Sequence, residues 1–211
     1  MANKLLLVVD TQVDFVMPAG ALYVPGAEAI IEPGIAFLAQ LDPRDYAAAL
    51  FTFDSHDESF AGSPENVGDP AAGVPGFPMH CAVGTPGWQN VFNPALVPEP
   101  IGLFQLHKGV FDMWEQQAGK VPVQPLARAM PTVTPGSAAC DRDTFFRSVL
   151  PSEVRTATVI GVASDFCVKW AVNGLLERGY EVEIVAHLTR GIERDMAAVI
   201  ADDFPGRVKL I

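Results

Sequence analysis

Short apolar runs rich in β-branched residues alternate along this chain with stretches of helical spacing, and that alternation leaves few folds open. Lys4–Val9, Ala47–Phe53, Gly102–His107, Thr156–Val162, Glu181–Ala186 and Arg207–Ile211 read as strands. Ala27–Gln40, Arg142–Leu150, Ser164–Arg178 and Glu193–Asp202 read as helices, with Gly179 as a stop after the third. Pro33-Gly34 blurs the bounds of the first helix. Strands that alternate with helices predict βαβ units, hence an α/β fold around a mostly parallel sheet of about six strands. A chain of 211 residues suits one such domain, 1–211, with a substantial core. The opening run Leu5-Leu6-Leu7-Val8-Val9 is too short for a signal sequence and ends on Asp10, so it reads as a first strand and points to a cytoplasmic protein. No apolar run is long enough to span a bilayer.

The character changes between Asp54 and Pro100, where Gly and Pro are dense and no period holds. So long a loop in a compact domain is commonly functional, and His56, His80 and Trp88 lie within it. From Asp45 to His107 there is no Lys or Arg, while Asp and Glu occur seven times, so a site lined by this stretch would hold a multiply anionic substrate poorly. The net charge of −11 speaks against nucleic acid or an anionic membrane as partner. Cys81, Cys140 and Cys167 are odd in number and widely spaced, which argues against a disulfide framework.

In open parallel sheets, ligands gather at the carboxyl ends of the strands. Asp10, Asp54, Lys108 and the turn before Cys167 all follow a predicted strand. Cys167 falls where a strand hands over to a helix, a place where backbone N–H groups and the helix dipole favour a thiolate. Each residue has a plainer reading: Asp10 as a turn or cap, Lys108 as a solvated strand end, Cys167 as a core thiol. Together they form a chemistry, with Cys167 attacking an amide-like carbonyl, Asp10 shuttling the proton and Lys108 lowering the thiol pKa.

The chain resembles the isochorismatase-like cysteine hydrolase superfamily, and within it the nicotinamidase-type amidases. The resemblance rests on Val9-Asp10-Thr11-Gln12-Val13-Asp14-Phe15, then Thr52-Phe53-Asp54-Ser55-His56 and Phe77-Pro78-Met79-His80-Cys81. It is completed by Gly161-Val162-Ala163-Ser164-Asp165-Phe166-Cys167-Val168 and Thr189-Arg190-Gly191-Ile192. It implies a Rossmann-like, three-layer α-β-α sandwich and a catalytic triad of Asp10, Lys108 and Cys167. It further implies a cis peptide between Val162 and Ala163 that aims the amides of Ala163 and Cys167 into an oxyanion hole. The implied partner is a small amide, nicotinamide first, cleaved through a thioester without an organic cofactor, by a homo-oligomer. The alternatives are a relative acting on another C–N bond in a carbamoyl or ureido compound, isochorismatase proper, and a non-catalytic binding protein on the same scaffold.

Asp54 and His56 face the same side of an extended segment and make a plausible pair of ligands, which His80 can join. The resemblance implies a metal held by Asp, His and His with a fourth ligand. Glu65 fits a glutamate variant of that set, with Asp57 and Glu58 as rivals that otherwise read as solvated loop charges. Such ligands suit zinc, with manganese and iron as alternatives. Phe15 and Phe77 match positions that place aromatic rings against the substrate, though either could be ordinary core. After Lys108 the chain departs from the family pattern, and Trp114 with Phe111 either shapes a different acyl pocket or covers the core.

Overall fold

The computed structural model describes residues 2–69, 71, 75–127 and 140–211. One sheet runs through it, built from β1 (Lys4–Val9), β2 (Tyr46–Asp54), β3 (Gly102–Lys108), β4 (Pro122–Pro125), β5 (Cys140–Asp141), β6 (Thr156–Val162), β7 (Glu181–Arg190) and β8 (Val208–Leu210). Their order is β5-β4-β3-β2-β1-β6-β7-β8. The six expected strands are there and pair in parallel; β4 pairs antiparallel with both β3 and β5. The sheet therefore has eight strands rather than about six. The two extra strands escape a periodicity reading because β4 is four residues bounded by prolines and β5 only two.

Successive side chains of β1 explain the layers. Leu5, Leu7 and Val9 pack into one core with Val168, Val172, Leu175 and Val199. Leu6 and Val8 turn to the other face and meet Ile30, Leu38, Phe92 and Val97. The two faces are apolar because helices cover both, giving the three-layer arrangement. The helices are α1 (Ile31–Ala39) on the second face, and α2 (Cys167–Glu177) and α3 (Met196–Asp203) on the first.

The expected first helix is split, with a tight turn over Ala27–Ile30 before α1, and Pro33 sits in the first turn of α1, where its missing N–H costs nothing. The expected Arg142–Leu150 helix begins as one α turn and widens to a π turn over Phe145–Val149. No described helix is long and apolar enough to cross a membrane.

The chain builds outward from β1 to β2 and β3, then returns to place β6 on β1's other side. The carboxyl ends of β1 and β6 thus form the point where the winding reverses, which is where such folds open a ligand crevice. Asp10 follows β1, and Cys167 follows β6 by a four-residue turn. Gly161 secures this junction. Its φ is +120°, and a Cβ there would lie 2.1 Å from the Val9 carbonyl oxygen. Gly161→Ala is expected to destabilise the protein by about 2–4 kcal/mol through strain and overlap. Chemical denaturation reads the loss, and a variant of wild-type stability would contradict this account of the β1–β6 junction.

Candidate active site

Lys108 is the centre of the site. Parallel register sets it beside Asp54 at the ends of β3 and β2. Its Nζ lies 2.9 Å from Asp10 Oδ2, 3.4 Å from Asp54 Oδ1 and 3.6 Å from Cys167 Sγ. All four residues are buried. Burial works against the ammonium, but the carboxylates of Asp10 and Asp54 win and hold the Lys108 pKa well above its usual value. At Asp54, burial is likewise overcome by Lys108 and two histidines, and the carboxyl stays well below the usual range. Cys167 goes the other way. Burial pushes its thiol well up, Lys108 pulls it back, and the nearby carboxylates push it up again. The expectation that Lys108 lowers the thiol pKa has the right sign, but burial outweighs it.

Two polar residues that the sequence reading left without a role fix this arrangement. Thr52 Oγ1 donates to Asp10 Oδ1 at 2.6 Å and accepts from the Asp10 N–H at 3.1 Å. Asp10 needs the support, because its φ of +46° is a strained one for a residue with a side chain. Gln12 clamps the Asp54 backbone, donating from Nε2 to its carbonyl and accepting its N–H at Oε1, both at 2.8 Å. Thr52 was findable in principle, since it lies two residues before Asp54 on the same strand face. Gln12 carries no local signal for its partner.

Beside Lys108, Asp54, His56, Glu65 and His80 bring one ligand atom each within 4.8 Å of one another. The loop is folded to do this. The Ser63 side chain caps the one-turn helix Pro64–Val67, with proline at its start, and presents Glu65. The Phe77 N–H donates to the Glu65 carbonyl, and the His56 N–H to the Cys81 carbonyl, which draws the far end of the loop back. Asp54 Oδ2 is 3.3 Å from His56 Nε2 and 3.2 Å from His80 Nε2, while Glu65 Oε1 is 3.8 and 3.4 Å from the same nitrogens.

These residues fit a metal. His80 Nδ1 gives its proton to the Pro78 carbonyl at 2.7 Å, which leaves Nε2 as the ligand atom. His56 Nε2 and both Glu65 oxygens are buried without a hydrogen-bond partner. Asp57 binds Ser59 at the surface, and Glu58 is exposed, so neither rival joins the cluster.

Phe15, Phe77, Phe111, Phe166, Ala163 and Cys167 line a cavity that Asp54, Glu65 and His80 also border. It holds about 280 Å³ of atom-free space, through only about 20 Å³ of which the centre of a water molecule can move. Ligand pockets typically measure about 300–1,000 Å³, and this aromatic-walled chamber, with room for about one water, is far tighter. The Val162–Ala163 peptide is cis. Among the described residues, neither the Ala163 nor the Cys167 N–H makes a backbone hydrogen bond.

Trp114 is the one expected pocket residue that lies elsewhere. Its ring rests on Gly174 of α2, where a Cβ would come within 2.1 Å of it, and is flanked by Arg178 and Arg142. It covers the core, and Phe111 lines the cavity instead. His107 clusters with Phe53 and Trp88, each of the three rings in contact with the other two, and burial lowers its pKa to about 4.

No protein-family model matches the chain. It is 26% identical to the nicotinamidase of Saccharomyces cerevisiae, over 91% of this chain and 90% of the relative. Among solved structures, the pyrazinamidase of Pyrococcus horikoshii in complex with zinc is similar at a TM-score of 0.67 and 22% identity, covering 99% of this chain and 98% of that one. PnC1 from L. infantum in complex with nicotinate is similar at a TM-score of 0.65 and 25% identity, covering 100% and 92%. The fold is the isochorismatase-like one that the sequence resemblance implies.

The carboxylates around His80 predict a proton count for metal binding. Burial opposes charge on His80, yet Asp54 and Glu65 raise its pKa to about 10, so it carries a proton at pH 7 that a metal must displace. Zinc binding at pH 7 is expected to release protons, and affinity to rise with pH across the neutral range. His56→Ala and His80→Ala should each weaken zinc by about 100-fold or more. Calorimetry in buffers of different ionisation enthalpy reads the protons. No release, or unchanged metal content in both variants, would overturn the assignment.

Proposed function

We propose that the protein is a metal-containing cysteine amidohydrolase that converts nicotinamide to nicotinate and ammonia. The observation that carries this reading is the Lys108 ammonium between Asp10 and Cys167, beside a buried Asp-His-Glu-His cluster that borders an aromatic-walled cavity. The similarity to a nicotinamidase over nine-tenths of the chain supports the same activity. The cavity walls carry the carboxylates of Asp54 and Glu65 and no lysine or arginine among the described residues, which counts against dianionic isochorismate. The metal cluster counts against a carbamoyl or ureido substrate, whose enzymes in this superfamily commonly lack one.

A divalent ion held by Asp54, His56, Glu65 and His80 would supply a Lewis acid that anchors the ring nitrogen of the substrate. The rest of the chemistry belongs to side chains and amides. Because burial keeps Cys167 a thiol, its proton leaves as the sulfur attacks, and Asp10 is the acceptor. The carbonyl oxygen becomes an oxyanion facing the N–H groups of Ala163 and Cys167, where one such donor contributes about 2.7–4 kcal/mol. Asp10 returns the proton to the amide nitrogen, the C–N bond breaks, and ammonia leaves a thioester on Cys167. Asp10 then takes a proton from water, which attacks the thioester. Nicotinate departs, and the proton returns to the sulfur.

Cys167→Ala is expected to cut ammonia release from nicotinamide by about four orders of magnitude or more without changing the circular dichroism spectrum. Near-wild-type turnover in that variant would sink the mechanism.

A further inference from the structure

A second cavity lies at the far end of α2 from Cys167, lined by Asp143, Phe146, Arg147, Arg155, Arg178 and Tyr180. Here the centre of a water molecule can move through about 350 Å³, against about 20 Å³ in the catalytic cavity. On a chain of net charge −11, this is a concentration of positive charge. Three guanidinium groups face one carboxylate among the lining residues, an excess of two positive charges. A phosphate monoester carries about −1.5 to −2 near neutral pH, which matches that excess.

Arg178 pairs with Asp143 at 4.0 Å, but few of the arginine donors make hydrogen bonds within the protein. Arg147 Nε reaches the Asp143 carbonyl at 3.2 Å, Arg155 the Val154 carbonyl at 3.5 Å and Arg178 the Gly174 carbonyl at 3.0 Å. Each guanidinium has five N–H groups in a planar fork suited to phosphate oxygens. The arginines are also crowded. Arg178 and Arg142 both stack on Trp114, at 3.8 and 5.5 Å from the ring centre, and burial and then Arg142 lower the Arg178 pKa. Arg142 is committed to Asp143 and to the Met113 and Gln116 carbonyls, so it crowds its neighbours without joining the cavity wall. Phe146 and Tyr180 supply ring faces, their centres 6.1 Å apart and their planes at 81°.

We propose that this cavity is a second ligand site, for a nucleoside monophosphate: Arg147, Arg155 and Arg178 hold the phosphate, and Phe146 and Tyr180 pack against the base. It shares no lining residue with the catalytic cavity.

Calorimetric titration of the full chain with adenosine monophosphate at about 50 mM salt, where exposed charges are weakly screened, tests the site. One saturable site is expected, with affinity unchanged by saturating nicotinamide. The Arg147→Gln, Arg155→Gln double variant changes two exposed side chains and should weaken binding about tenfold or more. Phe146→Ala should weaken adenosine monophosphate while leaving inorganic phosphate unchanged, and adenosine should not compete at the same concentration. Absence of saturable binding at millimolar nucleotide would overturn the proposal. So would equal affinity in the double variant, or loss of binding when nicotinamide is added.

Discussion

A single buried ammonium organises this protein's reactive edge. Charge in a protein interior costs several kcal/mol unless it is closely paired, and breaking such a pair costs about 3–5 kcal/mol because the partner is left uncompensated. Lys108 is therefore bound to Asp10 and Asp54 by necessity, and the sheet provides for it: register sets Lys108 opposite Asp54, and β1 brings Asp10 alongside. The turn after β6 then lowers Cys167 onto the same nitrogen. One charge thus joins the candidate nucleophile, its proton partner and a candidate metal ligand.

The same burial that makes Lys108 indispensable keeps Cys167 protonated. A pre-formed thiolate would need the ammonium to outweigh desolvation together with Asp10, Asp54 and Glu65, and it does not. In the proposed mechanism proton transfer is thus tied to attack, and Thr52 holds the proposed acceptor, Asp10, in its strained backbone conformation. The candidate metal cluster is insulated in a related way. Phe60 lies against His56, Phe15 and Phe60 against His80, and the imidazoles are left with carboxylates on their open side.

Much of this was legible in the chain. The strand ends that carry Asp10, Asp54 and Lys108 follow from apolar runs whose lengths match the observed parallel strands within a few residues. The convergence of those ends follows from how parallel sheets wind. Glu65 had no such signal; only a resemblance distinguished it from Asp57 and Glu58, because the backbone contacts that bring it to the histidines span twelve residues or more. Trp114 was open between pocket wall and core cover for the opposite reason. An aromatic side chain shortly after Lys108 looks like a pocket wall, yet the bare surface of Gly174 on α2 gives its ring a better seat. The strands β4 and β5 are too short to announce themselves, and they form only because β3 offers an edge.

The proposed mechanism places the acyl group on Cys167 during turnover. The most direct measurement is acid quenching of the enzyme while it turns over nicotinamide, followed by mass spectrometry of the peptide that contains Cys167. A single nicotinoyl group is expected on that sulfur, lost when the enzyme is left to exhaust its substrate. An enzyme that releases ammonia under conditions where a thioester would accumulate, yet yields only unmodified Cys167 or an acyl group on another residue, would contradict it.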